Sequence, residues 1–419
     1  PARSVPIFAP TLTVEDVKEV AKAIQASFEK KLQAIEALPL GEATFKNTCE
    51  ALAHALGEAA EDSAVVTFPS MVHSEQLVRS AATQSKDELK SMFDMTFTRG
   101  KLSQVVTEGQ KHASTPSQQR LASYHVREFG RKGLALSDEH RSVLLGKMAG
   151  IEKLCSQFCA NINEDDSGCN FNEEDLEGLP GDFVSSLKKD DSGKYHVGLR
   201  APHLLPVSQY AARDETREAL LGRKAKQCQE SNAPLLEKVL SLRQECAELL
   251  GYKNHAEYML EPKMAKEPSA VTKFHNGILG ASDAVCKTDL ETLRNLKTTL
   301  VGSTADTAVQ PWDTAYLSRI HKESLGVDGD LIRQYFPMDF VISSVLSTYE
   351  ELLGLKFQQV TDFTAWDKDV SAYAVLEKQS DGQERLRGHF FLDLYPREGK
   401  YAHQVLAMLL HQYEHLAML

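Results

Sequence analysis

Two histidines and a glutamate near the end of the chain have the spacing of a metal-binding helix motif. His411, Glu414 and His415 form the pattern H-x-x-E-H, the inverted form of the zinc-peptidase motif H-E-x-x-H. On a helix the two imidazoles project from one face, because residues four apart are neighbours. In such a site the imidazoles bind zinc, and the glutamate takes a proton from the attacking water.

A catalytic zinc also needs a third protein ligand, and no spacing rule identifies one here. Only four residues follow His415, so the ligand would have to come from upstream. The alternative is an amphipathic terminal helix that packs through a row of leucines. These are Leu406, Leu409, Leu410 and Leu416. Both interpretations of the segment stay open at the level of spacing.

Other motifs with chemical meaning are absent or fail on spacing. The sequence contains no G-x-x-x-x-G-K-[ST] loop, no G-x-G-x-x-G turn and no G-x-S-x-G elbow, so neither a nucleotide site nor a serine-hydrolase site is supported. Residues 163–175 are rich in oxygen ligands, but a calcium loop that starts at Asp165 would need glycine where Asn170 stands. We therefore predict a solvated acidic connector there.

Hydrophobic periodicity predicts a mostly helical chain. Thr13 followed by Asp16 indicates an N-terminal cap, and the apolar stripe behind it predicts a long helix. The stripe comprises Val17, Val20, Ala21, Ile24, Phe28, Leu32 and Ile35. A second helix is predicted over 232–251, with Pro234 in its first turn and Gly251 in a left-handed C-terminal cap. Further helices are predicted around 88–110, 118–132, 136–162 and 285–300.

Strand signals are few and lie mostly late in the chain. Residues 194–199 alternate well enough for a short strand. Residues 372–377 and 387–395 flank a polar turn that contains Asp381 and Gly382, which is typical of a hairpin. The predicted fold class is therefore mainly α, with a small β hairpin element near residues 355–396.

The charge and hydrophobicity of the chain argue against nucleic-acid and membrane partners. The chain has 419 residues, of which 42% are hydrophobic, and its net charge is −12. We expect no nucleic-acid partner, because an acidic surface repels phosphate, and no membrane partner, because no run of eighteen apolar residues exists. The seven cysteines are irregularly spaced and the start lacks the apolar core of a secretory signal. We expect a cytoplasmic protein with reduced thiols, with an organelle matrix as the alternative.

One stretch of the sequence carries a family resemblance. Residues 388–403 read GHFFLDLYPREGKYAH and resemble the signature that leads into the active-site region of the thimet oligopeptidase family, which includes neurolysin and bacterial oligopeptidase A. Matching motifs occur upstream in the same order. They lie at residues 161–165, 178–183, 201–206, 250–260, 264–266, 312–313, 335–337 and 352–355. The resemblance covers residues 120–403 well and the first 120 residues loosely.

The resemblance implies a mainly helical, two-lobed oligopeptidase-like body with long helices and a deep channel that admits short peptides. It also implies zinc as the cofactor, held by H-E-x-x-H on one helix and by a downstream glutamate. In such enzymes zinc activates a water, the motif glutamate is the general base, and downstream tyrosines and histidines stabilise the oxyanion. Expected regions are 1–200 and 201–335, both helical, and 336–419, the truncated start of a mixed α/β catalytic region.

The sequence departs from the family pattern after His403. No H-E-x-x-H occurs in the chain, and the tail that holds His411, Glu414 and His415 does not align with the family. The assignment of Glu414 as the catalytic glutamate and of His411 and His415 as metal ligands therefore rests on spacing alone. The resemblance predicts that the chain holds zinc. If the tail forms no site, we expect the chain to hold none.

Two functions are consistent with these observations. The first is a zinc metallo-oligopeptidase that hydrolyses short peptides, of which this chain would be an inactive fragment if the tail forms no site. The second is a non-catalytic, truncated family member that binds peptides or a partner. We also expect the isolated chain to aggregate or dimerise through exposed apolar surface; its normal oligomeric state is not predicted.

Overall fold

A computed structural model describes residues 12–302, 307–327, 329–363, 365–379, 382–395, 397 and 399–401. The elements in chain order are α1 (Val14–Glu36), α2 (Ala51–Thr67), α3 (Pro69–Val72), α4 (Gln76–Thr96), α5 (Gly100–Gln110), α6 (Pro116–Arg131), α7 (Asp138–Glu164), β1 (Gly168–Phe171), α8 (Gly181–Ser186), β2 (Tyr195–Gly198), α9 (Ala201–Tyr210), α10 (Asp214–Ala225), α11 (Gln229–Leu249), α12 (His255–Leu260), α13 (Pro268–Val301), α14 (Thr314–Ser324), α15 (Gly329–Gln334), α16 (Met338–Leu353), β3 (Leu355–Val360), β4 (Ser371–Lys378) and β5 (Glu384–Leu392). The chain is mainly helical, as predicted.

The described residues group into two compact units. Unit 1 comprises the described parts of 1–141 and 338–419, and unit 2 comprises those of 142–337. The predicted division into regions 1–200, 201–335 and 336–419 stays a prediction. Among the described residues, no helix is long and apolar enough to cross a bilayer.

The first helix forms as its sequence predicts. The Thr13 hydroxyl accepts a hydrogen bond from the Asp16 amide at 3.2 Å, and the Thr13 amide donates to the Asp16 carboxylate at 2.8 Å. These bonds lower the pKa of Asp16 and satisfy amides that the helix itself leaves unpaired. All members of the predicted stripe are buried except Val20, which lies at the edge of the buried face and is 38% exposed.

The core of unit 1 is built from α1, α2, α4, α5 and α6. The sequence predicted one helix over 88–110, but the structure has a break between α4 and α5. Arg99 lies in that break. Its guanidinium donates to both carboxylate oxygens of Glu36 through Nε and Nη2, and to Glu29 through Nη1 at 2.7 Å. The break thus places a cation where two carboxylates of α1 can pair with it, because a fork matches carboxylate geometry.

The predicted late hairpin is present, and a third strand extends it. Strands β3, β4 and β5 form an antiparallel sheet in that order. Tyr373 and Phe390 are directly opposite each other, with their rings stacked at 5.2 Å. Strand β3 escaped the sequence analysis because its alternation is weak, with Gln358 and Gln359 in its middle.

In unit 2 the acidic stretch 163–175 is not wholly a connector. Residues 168–171 form β1, which pairs with β2. The backbone of that stretch gains ladder hydrogen bonds, and Phe171 is buried at its end. This pairing was invisible to local composition, because the partner strand lies more than twenty residues downstream.

Helix α11 begins three residues before the predicted start. Cys228 has a left-handed backbone, and its carbonyl accepts from the Asn232 amide at 2.8 Å. The buried Asn232 side chain binds the Phe158 carbonyl and the Asn161 side chain of α7. Pro234 therefore lies inside the helix rather than in its first turn. Gly251 has a φ of 83°, as its predicted role in the cap requires.

A buried ion cluster joins α10, α13 and the start of α14. Arg217 and Asp313 are each 1% exposed and Lys297 is 6% exposed. The Asp313 carboxylate accepts from Arg217 at 3.0 Å and from Lys297 at 2.7 Å. Burial alone would raise the pKa of Asp313, but these bonds and one from the Gln310 amide lower it. The cluster closes the loop before α14 onto the rest of unit 2.

The stability of unit 1 should depend on pH because of His125 in α6. This side chain is 1% exposed, its Nδ1 has no hydrogen-bond partner, and burial lowers its pKa to about 4. Because the unfolded chain binds this proton near pH 6.5 and the native state does not, stability is full above pH 6.5 and is lost as pH falls towards 4. We expect a loss on the order of 3 kcal/mol.

Urea unfolding at pH 7 and pH 4.5 checks this expectation. The His125→Leu variant should show a smaller difference between the two pH values than the unchanged protein. The exposed His112 gives a matched control, and His112→Leu should leave the difference as it is. Equal pH dependence in all three proteins would contradict the role of His125.

Candidate functional site

The residues that the sequence singles out for metal chemistry lie outside the described residues. His411, Glu414 and His415 all fall within 402–419. Within residues 12–401, as far as they are described, no group of three or more histidine, cysteine, aspartate or glutamate side chains could hold a metal ion. The described residues therefore do not provide a zinc site.

The family signature itself is largely described, and it forms a dense polar junction. We use the name junction for the described residues of 393–401, which follow β5 directly. Its centre is Asp393, whose side chain is only 11% exposed. A carboxylate in this position must be paired, since burying an unpaired charge is costly.

Three side chains donate to the Asp393 carboxylate. Arg397 binds both oxygens, at 2.7 and 2.9 Å, in a fork geometry. Lys400 donates to Oδ1 at 2.9 Å, and the Trp366 indole donates to Oδ2 at 2.8 Å. Lys400 also donates to the carbonyl groups of Asp393 and Tyr395. The carboxylate thus folds the junction back on itself and ties it to the loop before β4.

These partners decide the charge of Asp393. Burial alone would raise the pKa of the carboxyl group, but hydrogen bonds from Arg397, Trp366 and Lys400 outweigh burial and lower it to about 2. The same contact raises the pKa of Arg397. Because the folded-state pKa is depressed, this pairing stabilises the fold above pH 4 and is lost as pH falls from 4 to 2.

The junction is attached to α3 through the main chain. Arg397 donates to the Val72 carbonyl at 3.1 Å, and the Tyr401 amide donates to the Met71 carbonyl at 2.8 Å. Gly399 has a φ of 78°, and a Cβ there would overlap the Arg79 guanidinium. Arg79 is itself held by the carbonyls of His73 and Ser74. The positive φ therefore favours glycine at 399, and a side chain there would also require the Arg79 guanidinium to move.

An aromatic cluster fixes the Trp366 indole, which donates to the junction. Phe68 and Val72 are buried, and Trp366 and Phe391 pack on them. The Phe68 and Trp366 rings meet edge to face at 4.8 Å, and Trp366 lies 5.5 Å from Phe391. Edge-to-face aromatic pairs stabilise such contacts beyond the area they bury. These rings hold the indole in the orientation in which its N–H donates to Asp393. The aromatic packing and the hydrogen bond therefore stabilise the same position of the Trp366 side chain.

The sequence offers only a weak signal for the junction. Asp393, Arg397 and Lys400 place opposite charges close together in the sequence, but the spacing rule for ion pairs holds on helices, and the described residues of 393–401 are not helical. Nothing in the sequence marks Trp366 or Val72 as their neighbours, because these residues are 27 and 325 positions away from their partners.

Comparison with known proteins places the chain in a family. The profile described as Peptidase family M3 matches residues 207–419, which include the junction. A thimet-like oligopeptidase of Dictyostelium discoideum is 28% identical over 96% of this chain and 62% of that protein. A probable thimet oligopeptidase of Arabidopsis thaliana is 25% identical over 95% of this chain and 56% of that protein.

Saccharolysin of Saccharomyces cerevisiae is 27% identical over 81% of this chain and 50% of that protein. The chain therefore spans about half to three-fifths of the length of these curated relatives. The predicted resemblance to oligopeptidases is confirmed by the profile match, which covers just over half of the chain. This chain belongs to peptidase family M3.

Proposed function

We propose that the protein is a zinc-dependent oligopeptidase that hydrolyses short peptides. The observation that carries the proposal is the family membership over 207–419, together with two relatives named as oligopeptidases that match along nearly the whole chain. The junction supports it, because a firmly held chain segment directly after the sheet is what a positioned active-site region requires. The described helices and the three-stranded sheet provide the scaffold in this proposal.

The zinc ligands would have to come from outside the described residues. His411 and His415 supply two imidazoles at the spacing of a helical zinc site, and Glu414 supplies a carboxylate beside them. When bound, zinc supplies an activated water for amide hydrolysis. We propose short peptides as substrates, and we propose a cytoplasmic location, with an organelle matrix as the alternative. The absence of a nucleic-acid partner stays a prediction from the acidic composition.

Cleavage of a quenched-fluorescent short peptide by the purified chain tests this proposal. We expect cleavage that a chelator abolishes and added zinc restores, and no cleavage of a stably folded protein. The Glu414→Gln variant shows whether the H-x-x-E-H tail is responsible, since loss of its carboxylate should reduce turnover by two or more orders of magnitude. The exposed Glu173 gives a matched control, and Glu173→Gln should leave turnover unchanged.

The second candidate is a non-catalytic protein that binds short peptides or a partner. It is favoured by the lack of H-E-x-x-H in the sequence and of a metal-holding group among the described residues. A folded chain that binds a labelled short peptide but never cleaves it, with or without zinc, would contradict the oligopeptidase proposal and support this one.

A further inference from the structure

Residues 71–79, which we call the α3–α4 turn, contact the junction at three points. The main-chain carbonyls of Met71 and Val72 each accept a hydrogen bond from the junction. The third contact joins Arg79 of α4 to Gly399. The family profile matches only residues 207–419, so the α3–α4 turn lies outside the part of the chain that identifies the family. It nevertheless holds a segment that lies well inside that part.

Arg79 is fixed by the α3–α4 turn itself. It is the fourth residue of α4, and its Nη1 donates to the carbonyls of His73 and Ser74 at 2.8 and 2.6 Å. A cation in the first turn of a helix is not stabilised by the helix dipole, whose positive end lies there. Loss of this cation should therefore not weaken α4 through the dipole, and the guanidinium position is set by the two carbonyls.

The same nitrogen of Arg79 packs on the main chain of Gly399. A Cβ at residue 399 would overlap Nη1 and would lie 2.7 Å from Cζ. The guanidinium cannot move away without losing its bonds to both carbonyls, because Nη1 makes both of them. The lack of a side chain at residue 399 thus lets Arg79 lie directly against the junction, between the two main-chain hydrogen bonds to α3.

We propose that Arg79 is a positioning residue for peptide cleavage, which it serves by holding the main chain at Gly399 in place. The inference rests on the proposed function, because the junction leads directly into residues 402–419, which include the proposed catalytic Glu414. A segment that enters an active site must be held to within a fraction of an ångström, since small misplacements cost catalysis heavily. Arg79 acts through the main chain and does not itself touch the peptide.

The kinetics of peptide cleavage distinguish positioning from substrate binding. Arg79→Ala should lower kcat about tenfold or more and leave KM within about twofold, because a loosened segment loses alignment rather than affinity. Arg79→Lys should recover part of kcat, since an ammonium still donates to carbonyls but lacks the planar fork. Arg120 of α6 is exposed, so Arg120→Ala is the matched control and should change neither constant. Circular dichroism verifies that each variant is folded.

Hydrogen exchange of the Tyr401 amide reports on the contact without any need for activity, because this amide donates to the Met71 carbonyl. Arg79→Ala should speed its exchange about tenfold. Gly399→Ala should also speed it, by displacing the guanidinium, but should add little in the Arg79→Ala background, so the two effects are not additive. Gly382 has a φ of 84° and open space around its Cβ position, so Gly382→Ala is the matched control for backbone strain and should show no such coupling.

The outcomes separate this inference from the proposed function. Additive effects of Arg79→Ala and Gly399→Ala on exchange would show that the guanidinium does not hold the junction, and would overturn the proposal. Faster exchange with an unchanged kcat in Arg79→Ala would overturn the positioning role as well, because the contact would then be only structural. A protein that cleaves no peptide would contradict the proposed function and the positioning role with it, whereas the exchange measurements would still decide whether Arg79 holds Gly399.

Discussion

Replacing Asp313 by alanine is expected to destabilise unit 2 by about 3–5 kcal/mol. The substitution leaves Arg217 and Lys297, both almost fully buried, without their shared carboxylate. Asp214 can take over only in part, because its carboxylate lies at 2.5 Å from Arg217 but 3.9 Å from Lys297 and is 44% exposed. A buried cation that loses its partner keeps the cost of its desolvation, which is why the effect is large.

Hydrogen exchange followed by mass spectrometry measures this effect where it should occur. The amides of α10, α13 and α14 should lose protection in Asp313→Ala, while those of α1 and α2 in unit 1 should not. Asp283 forms an exposed ion pair with Lys287, so Asp283→Ala is a matched control with an expected effect below about 1 kcal/mol. Equal loss of protection in the two variants would contradict the claim that the buried ion cluster stabilises unit 2 more than an exposed ion pair does.

Replacing Asp393 by alanine is expected to release the junction from the loop before β4 and to weaken its attachment to α3. Arg397 and Lys400 would lose a carboxylate that both of them bind, and the Trp366 indole would lose its acceptor. We expect a cost of about 3 kcal/mol or more, because the cations are only 16–17% exposed and stay partly buried without a counter-charge. Asp393→Asn should cost less, since an amide oxygen still accepts one bond.

Two measurements report on the junction directly. The chain has two tryptophans, so in a Trp312→Phe background the emission of Trp366 reports the junction alone and should shift to longer wavelength in Asp393→Ala. Trypsin should also cleave after Arg397 or Lys400 at least tenfold faster. The exposed Asp362 provides the control. Unchanged emission and cleavage in Asp393→Ala would contradict the role assigned to the carboxylate.

Local patterns predicted those parts of the fold whose partners are near in sequence. The cap at Thr13, the buried stripe of α1 and the hairpin of β4 and β5 each follow from residues within a few turns of one another. The β1 strand was missed, because its acidic surroundings resemble a connector and its stability comes from pairing with β2. The hydrophobic periodicity continues across the break between α4 and α5, so the sequence predicted one helix there. The break contains Arg99, which is held by two carboxylates of α1 that are far away in the sequence.

The candidate site shows the same limit more strongly. The signature at 388–403 identified the family, and spacing drew attention to Glu414 and its two histidines. Neither source showed that Asp393 is the centre of the junction, since its role depends on Trp366 and on the carbonyls of α3. Long-range pairing of this kind is set by tertiary packing, which a single sequence encodes but does not display.

The most direct test of the central claim is to measure peptide cleavage as zinc is added back to metal-free chain. If the protein is a zinc-dependent oligopeptidase, cleavage of a short peptide should rise in proportion to bound zinc and level off when binding is stoichiometric. Chain that is folded by circular dichroism, yet binds no zinc and shows no cleavage at any zinc concentration, would contradict the claim.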